Sequence, residues 1–180
     1  MPTDAVVLGL GVRPNTALAE AAGLPLGDHG GIRTDMQMRV LGHEQVWAGG
    51  DCVEVLNLVS GQYQHVPLGT HANKHGRVIG HNVAGSYATF PGVVGTAVSK
   101  VFNLEIARTG LRERDAAHAG FGYVTVTIRS GTRASYFPGT QGLTVKMTAL
   151  DLAYAPPFSP VWDPILVAAR QASAAIRAAP

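Results

Sequence analysis

The chain has 180 residues, 46% of them hydrophobic and 14% charged, and a formal net charge of +2. That length suits one good core or two small domains, and the composition is that of a packed chain rather than a disordered one. So slight a charge argues against a nucleic acid or a membrane surface as partner, and no apolar stretch is long enough to span a bilayer. Met1-Pro2-Thr3-Asp4 has no signal-peptide character, so a cytoplasmic location is the default expectation. The single cysteine, Cys52, excludes an internal disulfide, a CxxC redox pair and a cysteine zinc site, and is read as a packing residue. The seven histidines are scattered. His71 and His75 have the i, i+4 spacing of one helix face, but with no Glu beside the first and no third ligand nearby they are read as solvated, and no metal site is expected.

In chain order, Ala5-Val6-Val7-Leu8-Gly9-Leu10-Gly11 is a continuous apolar run of the kind a fully buried strand shows. The Gly9-Leu10-Gly11 that ends it mimics a dinucleotide fingerprint, but Pro14 stands where the third glycine belongs, so no pyrophosphate site is expected. Asn15 or Thr16 can cap a short helix, Ala17 to Ala22, which Gly23 ends. Gly30-Gly31 turns the chain into a short strand, Ile32 to Asp35, with Met36 to Leu41 continuing extended. Gly42-His43-Glu44 leads to a strand from Gln45 to Ala48, and the glycine pair Gly49-Gly50 delivers Asp51 at the mouth of the next loop.

Glycine lets a backbone approach a ligand closely, and ligands of open α/β sheets bind beyond the carboxyl ends of strands. Asp51 is therefore either an ordinary turn carboxylate or an acceptor for the vicinal hydroxyls of a cofactor sugar or sugar alcohol. Beyond it, Val53 to Leu58 leads to a polar turn at Ser60-Gly61-Gln62. Pro67-Leu68-Gly69-Thr70 then opens a helix that continues to Val83. The first turn of that helix presents free N–H groups and the positive end of a dipole, which stabilise negative charge on a neighbouring group.

Gly85 to Gly92 is the best candidate for a linker. After it come strands at Ala97–Phe102 and Glu105–Thr109 around an Asn103 turn, a helix from Arg112 to Ala119 stopped by Gly120, and strands at Tyr123–Arg129 and Leu143–Thr148. This order is that of an antiparallel α+β module. Asp151 to Pro160 holds three prolines and reads as a fixed extended segment presenting Tyr154 and Phe158. Ile165 to Ala178 is a helix by propensity, started by Asp163-Pro164.

The ordered set Val7-Leu8-Gly9-Leu10-Gly11-Val12-Arg13-Pro14-Asn15, Ala48-Gly49-Gly50-Asp51-Cys52 and Pro67-Leu68-Gly69-Thr70 resembles the FAD-dependent pyridine nucleotide-disulfide oxidoreductases. Pro91 to Ala97, followed by Ala107-Arg108-Thr109-Gly110-Leu111, is similar to the start of their dimerisation domain. Leu152-Ala153-Tyr154-Ala155-Pro156-Pro157-Phe158-Ser159 is similar to the C-terminal signature of the coenzyme A-disulfide reductase, persulfide reductase and NADH oxidase branch.

The resemblance implies an α/β fold, part of a three-layer FAD-binding domain over residues 1–88, followed by a shortened α+β dimerisation domain over residues 89–180. It implies that Asp51 holds the ribityl chain of FAD, with Gly50 allowing close approach, and that Leu68, Gly69 and Thr70 start a helix aimed at the flavin pyrimidine edge. Arg13 and Pro14 would lie where the chain returns from the NAD domain. Tyr136 and Tyr154 would reach across a dimer into the partner's site, where a phenol can protonate a departing thiolate; each is equally a core or interface aromatic. The family's Gly-rich fingerprint, redox cysteine and NAD-binding unit have no match here, and Cys52 does not replace that cysteine.

Two functional readings stay open, beside the bland one of a gene remnant with no activity. One is a portion of an FAD-dependent NAD(P)H oxidoreductase acting on coenzyme A disulfides, persulfides or oxygen, inactive alone. The other is a noncatalytic module that forms a homodimer, or a heterodimer with a full-length reductase.

Overall fold

The computed structural model describes residues 3–132, 136, 138–150 and 164–178. The chain divides into two compact units, which meet in sequence between Thr96 and Ala97. The first holds helix α1 (Ala17–Ala21), strands β1 (Ile32–Arg33), β2 (Val53–Leu56) and β3 (Tyr63–His65), and helix α2 (Gly69–Val83). A single 3₁₀ turn, Gly50–Cys52, leads into β2. The second holds β4 (Ala97–Val101), β5 (Leu104–Arg108), α3 (Glu113–His118), β6 (Tyr123–Gly131), β7 (Gly142–Leu150) and α4 (Pro164–Ala178). The whole is a mixed α/β protein, as its sequence implies.

In the first unit β2 is the middle strand, parallel to β1 with Ile32 opposite Val53 and antiparallel to β3 with Glu54 opposite His65. A strand buried on both faces is usually apolar throughout, and Val53, Val55 and the core residues Ile32, Val40, Val78 and Phe90 meet that expectation. Glu54 breaks it, with its side chain fully enclosed. The first unit extends to Thr96 because Phe90 and Val93 pack into this core, and Val93 bridges Asn57 at the end of β2, donating its N–H to Leu56 O and accepting the Leu58 N–H, both at 2.8 Å.

Several local expectations are corrected. Ala5 to Gly11 forms no strand: Val7 is 95% exposed and Leu10 88%, and none of the described strands pairs with the run. Helix α1 ends as foreseen at a left-handed Gly23, but the Thr16 hydroxyl donates to Gly30 O at 3.0 Å instead of capping. Met36 to Leu41 does not run extended. The Asp35 carboxylate accepts the N–H groups of Gln37 and Arg39 at 2.8 and 2.9 Å, and Met38 takes a positive φ of 62° while almost wholly buried. Gln45 to Ala48 pairs with that turn through an Arg39–Trp47 bridge without becoming a strand. Gly85 to Gly92 is no loose linker either. The Asn82 amide donates to Gln37 O and Ala88 O at 2.9 Å and accepts Ala88 N–H at 3.0 Å, so one side chain clasps the segment.

Gly92 lies at the crossing of this segment with β2. Its φ is +126°, and a Cβ there would overlap the Leu56 carbonyl. Gly92→Ala is expected to lower stability by about 2 kcal/mol, as forced backbone strain does, measurable as a reduced midpoint in thermal unfolding.

In the second unit β4 and β5 form a hairpin around Phe102, whose φ is +51°, and all but Ala97 of its strand residues are exposed. Strands β6 and β7 pair antiparallel along their whole length, from Tyr123 opposite Leu150 to Gly131 opposite Gly142. Helix α4 packs on both, and its Ala168 and Ala172, four residues apart on one face, are buried to 0% and 1% exposure. Small side chains at that spacing let a helix lie close to a ribbon. Helix α3 is held at its start by Arg112 and Asp115, which bond reciprocally, and its Glu113 pairs with Lys146 of β7 at 2.6 Å.

Candidate functional site

The chemistry-bearing residues of the first unit gather where the Gly49-Gly50-Asp51 turn meets α2. Gly49 is extended, with φ −164°, and Gly50 is left-handed, with φ +82°, so the chain bends at Gly50 into the 3₁₀ turn that leads to β2. A Cβ on Gly49 would come within 2.9 Å of His75 Cβ and Ile79 Cδ1, which leaves no room for any side chain between turn and helix. The Asp51 carbonyl accepts a hydrogen bond from His65 Nε2 at 2.7 Å, tying the turn to the end of β3. Val66 and Pro67 then lead directly to Leu68, which precedes the first turn of α2. The structure thus brings Gly50 and Asp51 to the same helix that Leu68, Gly69 and Thr70 begin.

Asp51 is exposed, and so are Gly69 and Thr70. Leu68 stands at the N-cap position with φ −131° and makes no side-chain cap, so the first N–H groups of α2 are free of any capping side chain. An exposed carboxylate beside an uncapped helix start fits a polyhydroxylated cofactor with an electron-rich end: hydroxyls donate to the carboxylate, and the dipole favours the negative end.

The expectation that His71 and His75 are solvated is wrong. They are 8% and 1% exposed and share one face of α2 with Val78. His75 sets its ring edge-on to Phe90 at a centroid distance of 4.4 Å, and its Nδ1 accepts the Gly50 N–H at 3.1 Å. Burial, with His71 nearby, pushes the His75 pKa down to about 4, so the ring is neutral and able to accept. Burial also lowers the His71 pKa, partly offset by a bond to the Val66 backbone. The missed signal was the spacing 71, 75, 78, an i, i+4, i+7 stripe that marks a buried face. Cys52 is half-buried against the core, its Sγ 3.3 Å from Gly49 O, which agrees with a packing role.

Tyr136 lies in the second unit, between β6 and β7, and is 84% exposed. Tyr154 lies outside the described residues. Among the described residues no cluster of three or more His, Cys, Asp or Glu could hold a metal, and no helix is long and apolar enough to cross a membrane.

Residues 1–76 match the family model described as pyridine nucleotide-disulphide oxidoreductase. An NAD(P)H coenzyme A polysulfide/persulfide reductase of Pyrococcus horikoshii is 36% identical over 93% of this chain. The chain belongs to the pyridine nucleotide-disulfide oxidoreductase family. It spans about half the length of the curated relatives it matches, 46% in the Pyrococcus protein. Among solved structures, the NAD-dependent persulfide reductase from A. fulgidus superposes with a TM-score of 0.82 at 36% identity, over 93% of this chain and 38% of that one. A FAD-dependent member from Desulfovibrio vulgaris is 41% identical over 79% of this chain and 34% of its own, with a TM-score of 0.64.

Proposed function

We propose that this chain supplies one wall of the flavin site in an FAD-dependent NAD(P)H oxidoreductase. Its substrates would be thiol-derived disulfides or persulfides, coenzyme A disulfide among them, or oxygen, and hydride transfer would need residues beyond these 180. The observation that carries the reading is the exposed Asp51 carboxylate, set by a left-handed Gly50 beside the uncapped start of α2. Asp51 accepts hydrogen bonds from the sugar-alcohol hydroxyls, and Gly50 lets the chain pass close to them. Leu68, Gly69 and Thr70 aim backbone N–H groups and a helix dipole at the ring edge, where they stabilise negative charge. FAD, when bound, supplies the two-electron chemistry. In this reading the first unit is part of the FAD-binding domain and the second belongs to the dimerisation domain. Tyr136 and Tyr154 then serve a partner subunit's substrate site as hydrogen-bond or proton donors. The 206-residue alignment to the Pyrococcus relative is longer than this chain, which supports a shortened form of the fold.

The test is to mix purified chain with FAD, alone and with the rest of a full-length relative supplied in trans, and to record bound-flavin absorbance. Bound flavin is expected, and Asp51→Ala should weaken it tenfold or more, since a hydrogen bond to a charged group contributes roughly 1.5–3 kcal/mol. Absence of bound flavin under both conditions overturns the proposal.

A second reading, a noncatalytic module that pairs with itself or with a full-length reductase, is favoured by the β4–β5 hairpin. Val98 is 74% exposed, Phe102 93% and Leu104 61%, and an isolated two-stranded hairpin is marginal in water without something to cover it. Light scattering across a concentration series decides whether the chain self-associates.

A further inference from the structure

We propose that His75 is the positioning residue of the Gly50–Asp51 turn: its Nδ1, by accepting the Gly50 N–H, fixes the direction in which the Asp51 carboxylate is presented. The inference rests on the flavin reading above and adds to it a residue that never touches the cofactor. The geometry leaves the turn few other holds. Gly49 lies flat on α2, with His75 Cβ and Ile79 Cδ1 where its Cβ would be, so packing sets the height of the turn over the helix. Packing alone does not set its rotation, because Gly50 at φ +82° is the residue type with most freedom to turn. A hydrogen bond to the Gly50 N–H removes that freedom at the residue directly before Asp51.

The acceptor is itself immobilised. His75 is 1% exposed, and its ring stands at 84° to Phe90, so neither the side chain nor its acceptor lone pair can swing away. The Gly50 N–H is half-buried against the helix, and losing its acceptor would leave that donor to whatever water can reach it. From the other side His65 Nε2 holds the Asp51 carbonyl, so the turn is pinned before and after the Asp51 side chain, while that side chain stays in solvent. Accepting at Nδ1 requires the proton on Nε2, which fixes the tautomer.

Amide hydrogen exchange and flavin affinity of the full chain, read together, test this. In His75→Leu, which keeps bulk and removes the acceptor, Gly50 is expected to exchange at least tenfold faster while the amides of β2 are unchanged, and flavin affinity to fall about tenfold. His75→Asn, whose Oδ1 reaches the Nδ1 position, is expected to restore both. Unchanged exchange at Gly50 in His75→Leu overturns the hydrogen bond, and faster exchange with unchanged flavin affinity overturns the positioning role. If the wild-type chain binds no flavin in either arrangement, the flavin reading itself falls and takes this inference with it. A measurement on the wild-type chain alone guards against a variant that does not fold. The ring nitrogens of His75 should show the Nε2–H tautomer in nitrogen-15 spectra, and an Nδ1–H tautomer overturns the proposal.

Discussion

Between pH 7 and pH 4 the first unit is expected to lose on the order of 3 kcal/mol of stability through His75 alone, since a tenfold change in proton affinity corresponds to about 1.4 kcal/mol. The His75 pKa is lowered from 6.5 to about 4 in the fold, because burial disfavours the imidazolium and His71 adds to the effect. Between those two values the unfolded chain binds a proton that the native chain does not, so stability rises with pH. The contribution is fully present above about 6.5 and is lost as the pH falls through the folded value. His71, lowered in the same direction, adds to the loss. Urea titrations at pH 7, 5.5 and 4, read at the amides of α2, measure the slope. The His75→Leu variant should show much less of it, and an equal slope in both would assign the loss to other groups.

Replacing Glu54 by alanine is expected to be the most damaging single change, at about 3–5 kcal/mol, the usual result of removing one partner from a buried charged pair. Glu54 Oε1 accepts the N–H groups of His29 at 2.7 Å and Gly31 at 3.2 Å, while Oε2 lies 3.7 Å from Arg33 Nη1. Gly27 and Gly31 make the space: a Cβ on Gly27 would overlap the carboxylate, and one on Gly31 would stand 2.8 Å from Glu54 Cγ. Alanine at position 54 leaves the buried Gly31 N–H and the part-buried His29 N–H without their acceptor, and a guanidinium, stacked 3.6 Å over the Tyr63 ring, without its counter-charge. Glu54→Gln keeps the acceptor oxygen and should cost clearly less. Chemical unfolding of both variants measures the difference, and equal losses would mean that charge rather than hydrogen bonding holds the 27–31 loop.

What could be read from the sequence depended on how local the cause is. Strand β6 and helices α2 and α4 declare themselves by β-branching, periodicity or alanine content, and Gly23 and Gly120 stop their helices with positive φ as expected. The elements that went astray have distant causes. A buried-type run such as Ala5 to Gly11 becomes a strand only if an edge receives it, and no local feature says whether one does. The Asp35 turn required a methionine in the left-handed region, a conformation that composition does not favour. The Asn82 clasp joins residues 45 apart, which no window of sequence contains.

The site divides in the same way. Asp51 announces itself through its glycine pair, and Leu68-Gly69-Thr70 as a helix start, and the fold sets the two side by side. The histidines that hold the turn could not be read as such, because the Gly50–His75 link spans 25 residues and the His65–Asp51 link 14. Only the apolar stripe on α2 hinted that His75 was inside.

The run from Val6 to Val12 also has a colloidal consequence. Five large aliphatic side chains, from Val12 at 69% to Val7 at 95% exposure, face water along one stretch whose amides have no ladder. Two copies laid alongside each other would satisfy those amides and hide those side chains together, which is how sticky edges aggregate. A formal charge of +2 opposes this only feebly, and added salt screens even that. The handling properties of the isolated polypeptide therefore depend on these few aliphatic groups as well as on the exposed hairpin of the second unit.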